Sequence, residues 1–138
     1  MELGFRKTQT VGGDYRWLGS SHGTSSARPI TIKRSALVEG SSLVTEAADG
    51  TKLSTKHVPS GLPVKKEADG TYSPFTADDA VEGILAGFVL ETQDVSDEAT
   101  EVLAPLLDHG RIIAQFLPVQ VAGIADADTS GLFTWGVA

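Results

Sequence analysis

The chain contains no cysteine, which excludes a disulfide framework and thiolate metal ligands and suits assembly in a reducing compartment. No apolar run approaches the roughly 20 residues of a membrane-spanning helix, and Met1 is not followed by a signal-like apolar stretch. A soluble protein made without export is expected. The metalloprotease spacing His-Glu-x-x-His, a His-x-His pair and the Gly-x-Ser-x-Gly nucleophile elbow are all missing. Gly12-Gly13 and Gly19 do not form a phosphate-binding fingerprint, because no strand precedes them. No internal repeat is visible. No cofactor is expected, and the chain reads as non-enzymatic.

What is present is a sequence of 138 residues, enough for one domain with one ordinary core. Fifteen glycines and six prolines call for many turns, and 41% apolar content is modest. That composition fits a β-rich fold with long connections better than a helical bundle. The net charge of −7 opposes approach to phosphate, so no nucleic acid is expected as a partner, and no membrane. The charge is unevenly spread. Met1 to Arg34 holds six bases (Arg6, Lys7, Arg16, Arg28, Lys33, Arg34) against Glu2 and Asp14, a net of +4, and the remainder carries −11. Between Thr76 and Asp108 there is no Lys or Arg.

Residues 1–28 have no sustained helical or strand period. Their large apolar groups stand singly among Gly, Ser and Thr, and Gly19–Ser26 reads as a flexible connection. From Pro29 the pattern turns to strands. Ile30–Lys33 alternates with period two. Leu43-Val44 and Thr51–Val58 follow, joined by a hairpin-type turn at Ala48-Asp49-Gly50. Turns at Ser60-Gly61 and Asp69-Gly70 bracket a short strand over Leu62–Lys66, and Tyr72–Phe75 ends a strand at an edge, where Pro74 needs no ladder donor. Thr76 is placed to cap a helical turn, with Asp79 at the third position.

Glu82–Leu90 is the most apolar run and reads as a buried central strand, with Gly83 and Gly87 marking a close backbone approach or a bulge. Asp94–Thr100 reads as an acidic loop. Glu101–Leu107 could be helix or strand, and Pro105 favours a strand or bent extended segment. Gly110–Phe116 is a further strand, and Gly131–Val137 a last edge strand. The fold class expected is mainly β (β-rich α+β): a small barrel-like or sandwich-like domain with short helical turns over residues 29–138, and an extended N-terminal arm over 1–28.

The titratable candidates are sparse. His22 lies in the Ser/Gly connection, His57 on a Lys-rich strand and His109 before a glycine turn. Asp108 with His109 and a distant serine would make a triad only with an exposed nucleophile. Asp78-Asp79 and Asp97-Glu98 read as solvated acidic turns. Asp126-x-Asp128 has the first two positions of a calcium loop without the later Gly and Glu.

The arm carries the stronger signal. Leu3, Phe5, Arg6, Lys7, Tyr15, Arg16, Trp17 and Leu18 set cations beside large apolar groups, the combination enriched at interface hot spots. Such a strap suits docking on a neighbour, partly by strand addition. The alternative is that Phe5, Tyr15 and Trp17 fold back onto the body.

Three stretches in order, Val58-Pro59-Ser60-Gly61-Leu62-Pro63-Val64, Asp69-Gly70-Thr71-Tyr72-Ser73-Pro74-Phe75 and Val81-Glu82-Gly83-Ile84-Leu85, resemble the head decoration proteins of tailed bacteriophages, the lambda type and its actinobacteriophage relatives. His109-Gly110, followed by a strand ending at Leu117-Pro118, is also similar. The resemblance covers about residues 29–120. It implies a homotrimer on the outer capsid surface of the virion, made in the host cytoplasm, whose arm reaches the major capsid protein and which stabilises the expanded head. Another virion part, such as a minor tail or head–tail connector protein, and a small β-rich hydrolase using His109 and Asp108 are the rival expectations.

Overall fold

The structure is a computed structural model and describes residues 15–46, 52–80, 85–96, 98–125 and 132–136. The mainly β expectation holds: ten strands, one short helix and three 3-10 turns lie among these residues. The strands are β1 Arg28–Lys33, β2 Val44–Glu46, β3 Lys52–Val58, β4 Pro63–Lys66, β5 Tyr72–Pro74, β6 Gly87–Val89, β7 Gln93–Val95, β8 Glu101–Leu107, β9 Gly110–Ile113 and β10 Phe133–Gly136. Five of them close into a ring in the order β1-β5-β4-β6-β8. The longest pairing is β1 with β8, antiparallel over six residue pairs from Arg28↔Leu106 to Lys33↔Glu101. A three-stranded sheet β2-β3-β7 and the parallel pair β9-β10 complete the body.

The core is double, and the wall between its halves follows from strand alternation. On β6, Val89 points into a cluster with Ile30, Ile32, Val64 and Leu106, while its neighbour Phe88 points into a second cluster with Trp17, Leu107, Ile112 and Phe133. Leu106 and Leu107 on β8 divide in the same way. Successive side chains of a strand face opposite sides. A strand covered on both faces therefore reads as the continuous apolar run that the sequence shows. A Cβ on Gly87 would collide with the carbonyl oxygen of Leu107, the close approach expected there.

The expected and observed elements differ in several places. The strand expected over Glu82–Leu90 is confined to Gly87–Val89, and residues 81–84 lie outside the described residues. The acidic segment expected as loop begins with β7, because the backbone of Gln93–Val95 pairs with Lys56–Val58 on β3. Glu101–Leu107 is a regular strand, with Pro105 opposite Pro29. The Leu90 N–H donates to the Pro105 carbonyl at 2.8 Å, using the backbone group that a proline retains. The strand expected over Gly110–Phe116 stops at Ile113, and Ala114–Phe116 forms a 3-10 turn. β5 is not a simple edge. It is paired on both sides at Tyr72, and only with β4 at Pro74, where the missing donor is tolerated. The Ala48-Asp49-Gly50 turn lies outside the described residues, although β2 and β3 do pair antiparallel.

Local chemistry fixes two junctions as expected. Thr76 precedes α1 (Ala77–Ala80), and the Asp79 carboxylate accepts from the Thr76 backbone N–H at 2.9 Å and from its hydroxyl at 2.8 Å, which is the reciprocal arm of a capping box. At the β4–β5 turn, Asp69 accepts from the Thr71 N–H and hydroxyl and from Lys33 Nζ at 2.6 Å. The Lys33 and Thr71 hydrogen bonds hold the Asp69 carboxyl well below the usual carboxylate range.

Candidate functional site: the root of the N-terminal arm

Of the sequence-predicted arm residues, Leu3, Phe5, Arg6 and Lys7 lie outside the described residues. The structure places the other four. Trp17 is fully buried and packs in the second core cluster, its ring 5.7 Å from that of Phe88. Its Nε1–H donates to Ser60 Oγ at 3.1 Å, and the Ser60 hydroxyl donates in turn to the Leu90 carbonyl at 2.8 Å. The indole is thus satisfied in its only polar atom, which permits complete burial. For Trp17, the fold-back alternative is the arrangement adopted, and its surface is spent inside its own chain.

Around Trp17 the backbone joins the sheet. Leu18 bridges Ile112 in antiparallel sense, the Gly19 N–H donates to the Arg111 carbonyl at 2.8 Å, and the Ile113 N–H donates to the Trp17 carbonyl at 2.7 Å. Residues 17–19 therefore lie along β9 on the side opposite β10. The Arg111 side chain lies against Gly19 and Gly136, where a Cβ would stand 2.6 Å and 2.5 Å from it. Tyr15 is 43% exposed, and partial burial with nearby Glu91 pushes its phenol pKa up. The Arg16 guanidinium sits 4.8 Å above the Phe116 ring, a cation–π distance. Tyr15 and Arg16 are thus at the surface where residues 1–14 join a fixed point.

The slot that receives Trp17 is built from one of the quoted sequence stretches. In Val58–Val64, Ser60 supplies the hydroxyl and Gly61 turns the chain with φ +92°. A Cβ on Gly61 would stand 2.8 Å from both Trp17 Nε1 and Pro118 Cδ. The Gly61 N–H is held by the Val89 carbonyl at 2.7 Å. Ser60 was the element sequence reasoning missed. Its signal is a serine before a turn glycine, which carries no information about a tryptophan 43 residues away.

The histidines separate into two environments. His57, on β3, is 3% exposed and its Nδ1 has no partner among the described residues. Burial pushes its pKa down, partly opposed by Asp94, its cross-strand neighbour on β7. His22 and His109 come together with ring centroids 5.0 Å apart, and His109 Nδ1 is 2.8 Å from Asp108 Oδ1. Arg28 Nε approaches the other Asp108 oxygen at 3.4 Å. The hydrogen-bond partner of the His109 ring among the described residues is this carboxylate rather than a serine hydroxyl. The Gly19–Ser26 connection carries a 3-10 turn at Thr24–Ser26, and its glycine Gly23 packs on the His109 carbonyl.

Among the described residues, no group of three or more His, Asp or Glu side chains converges as a metal site. Asp78 and Asp79 lie on α1, where Asp79 is also paired with Lys65 at 2.7 Å. Asp126-x-Asp128 and Asp97 lie outside the described residues. A shallow cleft of about 420 Å³ is lined by Lys33, Ala36, Glu67, Asp69, Tyr72 and Ser73. Compared with known families and with curated proteins, the chain matches no family model and no curated protein.

Proposed function

We propose that this chain is a structural protein of a phage virion, a decoration protein that attaches as a homotrimer to the outer surface of the capsid and stabilises the expanded head. Support comes first from the resemblance of the three sequence stretches, and second from the way the arm is rooted. The observation that carries the reading is Trp17. A buried, hydrogen-bonded indole fixes the chain just after residues 2–14, the part of the sequence that holds Leu3, Phe5, Arg6 and Lys7. A strap is effective only when its base does not give, because a loosely held base raises the entropy cost of docking.

The charge pattern fits the same role. An acidic body keeps the free protein soluble, and the basic segment supplies attraction to an acidic surface. Trimerisation makes the second and third attachments intramolecular, so each strap needs only modest affinity of its own. In this reading the partner-binding residues are Leu3, Phe5, Arg6 and Lys7, with Tyr15, Arg16 and Leu18 at the root, and Trp17 acts as the anchor beneath them.

The test is co-sedimentation with expanded shells of the major capsid protein of the same virus. The full chain should bind saturably as a trimer, and a chain lacking residues 2–14 should fold and fail to bind. Unchanged binding of the truncated chain would remove the strap mechanism, and no binding by the full chain would remove the decoration reading. Copies arrayed over the whole shell support decoration, whereas a single ring per particle supports a connector.

A further inference from the structure

We propose that His22 and His109 form an open site for one divalent transition-metal ion of the kind that favours imidazole, such as Zn²⁺ or Ni²⁺. The idea does not depend on the decoration role. Three observations converge on it. The first is spacing. With metal–nitrogen bonds of about 2.0–2.1 Å, two imidazoles on one tetrahedral ion bring their ring centroids to about 5 Å, and these two stand 5.0 Å apart.

The second is orientation. His109 Nδ1 is 2.8 Å from Asp108 Oδ1. When Nδ1–H donates to that carboxylate, the lone pair is left on Nε2. A carboxylate behind a histidine is the usual arrangement that fixes a metal-binding tautomer and strengthens the ligand. Arg28 Nε, 3.4 Å from the second Asp108 oxygen, steadies the carboxylate in turn.

The third is access. His109 keeps 29% of its side-chain surface exposed, and a Cβ at residue 23 would crowd its Nε2 at 3.2 Å, which Gly23 avoids. Gly23 also has φ +89°, so the turn that carries His22 over His109 is one that L side chains rarely adopt. The His22 carbonyl lies so close to Gly110 that a Cβ there would be 2.8 Å away. The connection therefore rests directly on the β8–β9 turn. His22 is exposed and can turn its ring nitrogen toward the ion. Water fills the remaining coordination positions, since the site has two side-chain donors.

A bound ion would cross-link the connection before β1 to the turn between β8 and β9. The experiment uses the full chain without an affinity tag and titrates it with ZnCl₂ and separately with NiCl₂, reading calorimetry and melting temperature. One ion per chain should bind and raise the melting temperature. His22→Ala, an exposed position that leaves the fold intact, and His109→Ala should each weaken binding at least about tenfold, and Asp108→Asn should weaken it about tenfold through the tautomer. His57→Gln should bind the ion as the parent does, because His57 is buried elsewhere. Equal affinity in the parent and His22→Ala, no saturable binding by the parent, or an equal shift with MgCl₂ would each overturn the site.

Discussion

The indole N–H of Trp17 donates to Ser60 Oγ at 3.1 Å, joining the entry of the chain to the turn between β3 and β4. Both groups are buried, and Ser60 passes the interaction on to the Leu90 carbonyl. Trp17→Ala should cost about 3–5 kcal/mol of stability, the range for removing a large buried aromatic side chain. Ser60→Ala should cost about 1–3 kcal/mol, because it strands a buried donor. Urea unfolding of the two variants and of the double variant checks both figures. The double variant should lose less than the two single losses added, since the shared hydrogen bond is removed only once. Any loss of partner attachment by Trp17→Ala should track its loss of fold.

Two turn glycines with nearly the same backbone angle should respond differently to alanine. Gly61 has φ +92° and Gly70 has φ +89°. A Cβ at Gly70 meets nothing within 4 Å, so Gly70→Ala should show the left-handed backbone cost alone, about 1–2 kcal/mol. At Gly61 the same Cβ would press on Trp17 and Pro118. Gly61→Ala should therefore lose more than Gly70→Ala, and near-ultraviolet circular dichroism should show the Trp17 environment altered only in the former. Equal losses would mean that the slot yields freely.

Acidification should weaken the β2-β3-β7 sheet through His57. Burial lowers the folded pKa of this histidine below its unfolded value near 6.5. The unfolded chain then binds the proton more readily, so stability falls as pH drops through about 6.5 toward the folded pKa. Asp94 opposes the shift and should soften the slope. Urea midpoints at pH 7.5 and 5.5 for the parent and for His57→Gln isolate the effect from His22 and His109. The variant should show the smaller drop.

Truncation should divide the arm at Trp17. Removing residues 2–14 leaves Trp17 and the pairing of residues 17–19 with β9, and the melting temperature should change little. Removing residues 2–19 also empties the slot beside Phe88 and Ser60, and should destabilise the protein at least as much as Trp17→Ala. A stable, cooperative 20–138 fragment would show that the slot closes without its tryptophan.

Much of the strand pattern was legible in the sequence, because it rests on local chemistry. Period-two alternation marks β1, turn glycines bracket β4, Thr76 and Asp79 declare the capped turn, and the alternating tail marks β10, an edge strand among the described residues. β7 was not legible. Gln93-Asp94-Val95 is short and polar, and it is a strand because β3 offers its backbone a ladder. The early end of β9 is hidden for the same kind of reason, since apolar side chains continue past the point where pairing stops.

The candidate site divides along the same line. By itself the sequence determined that the chain has a basic, aromatic N-terminal segment on an acidic β-rich body, because charge and hydropathy are properties of residues. Only the tertiary structure decided what each aromatic does. Burial of Trp17 depends on a hydroxyl at Ser60 and a ring at Phe88, and the meeting of His22 with His109 depends on how the connection before β1 crosses the β8–β9 turn. Those are contacts between distant positions, set by how residues 17–23 lie on β9 and on the β3–β4 and β8–β9 turns and not by any local run of residues.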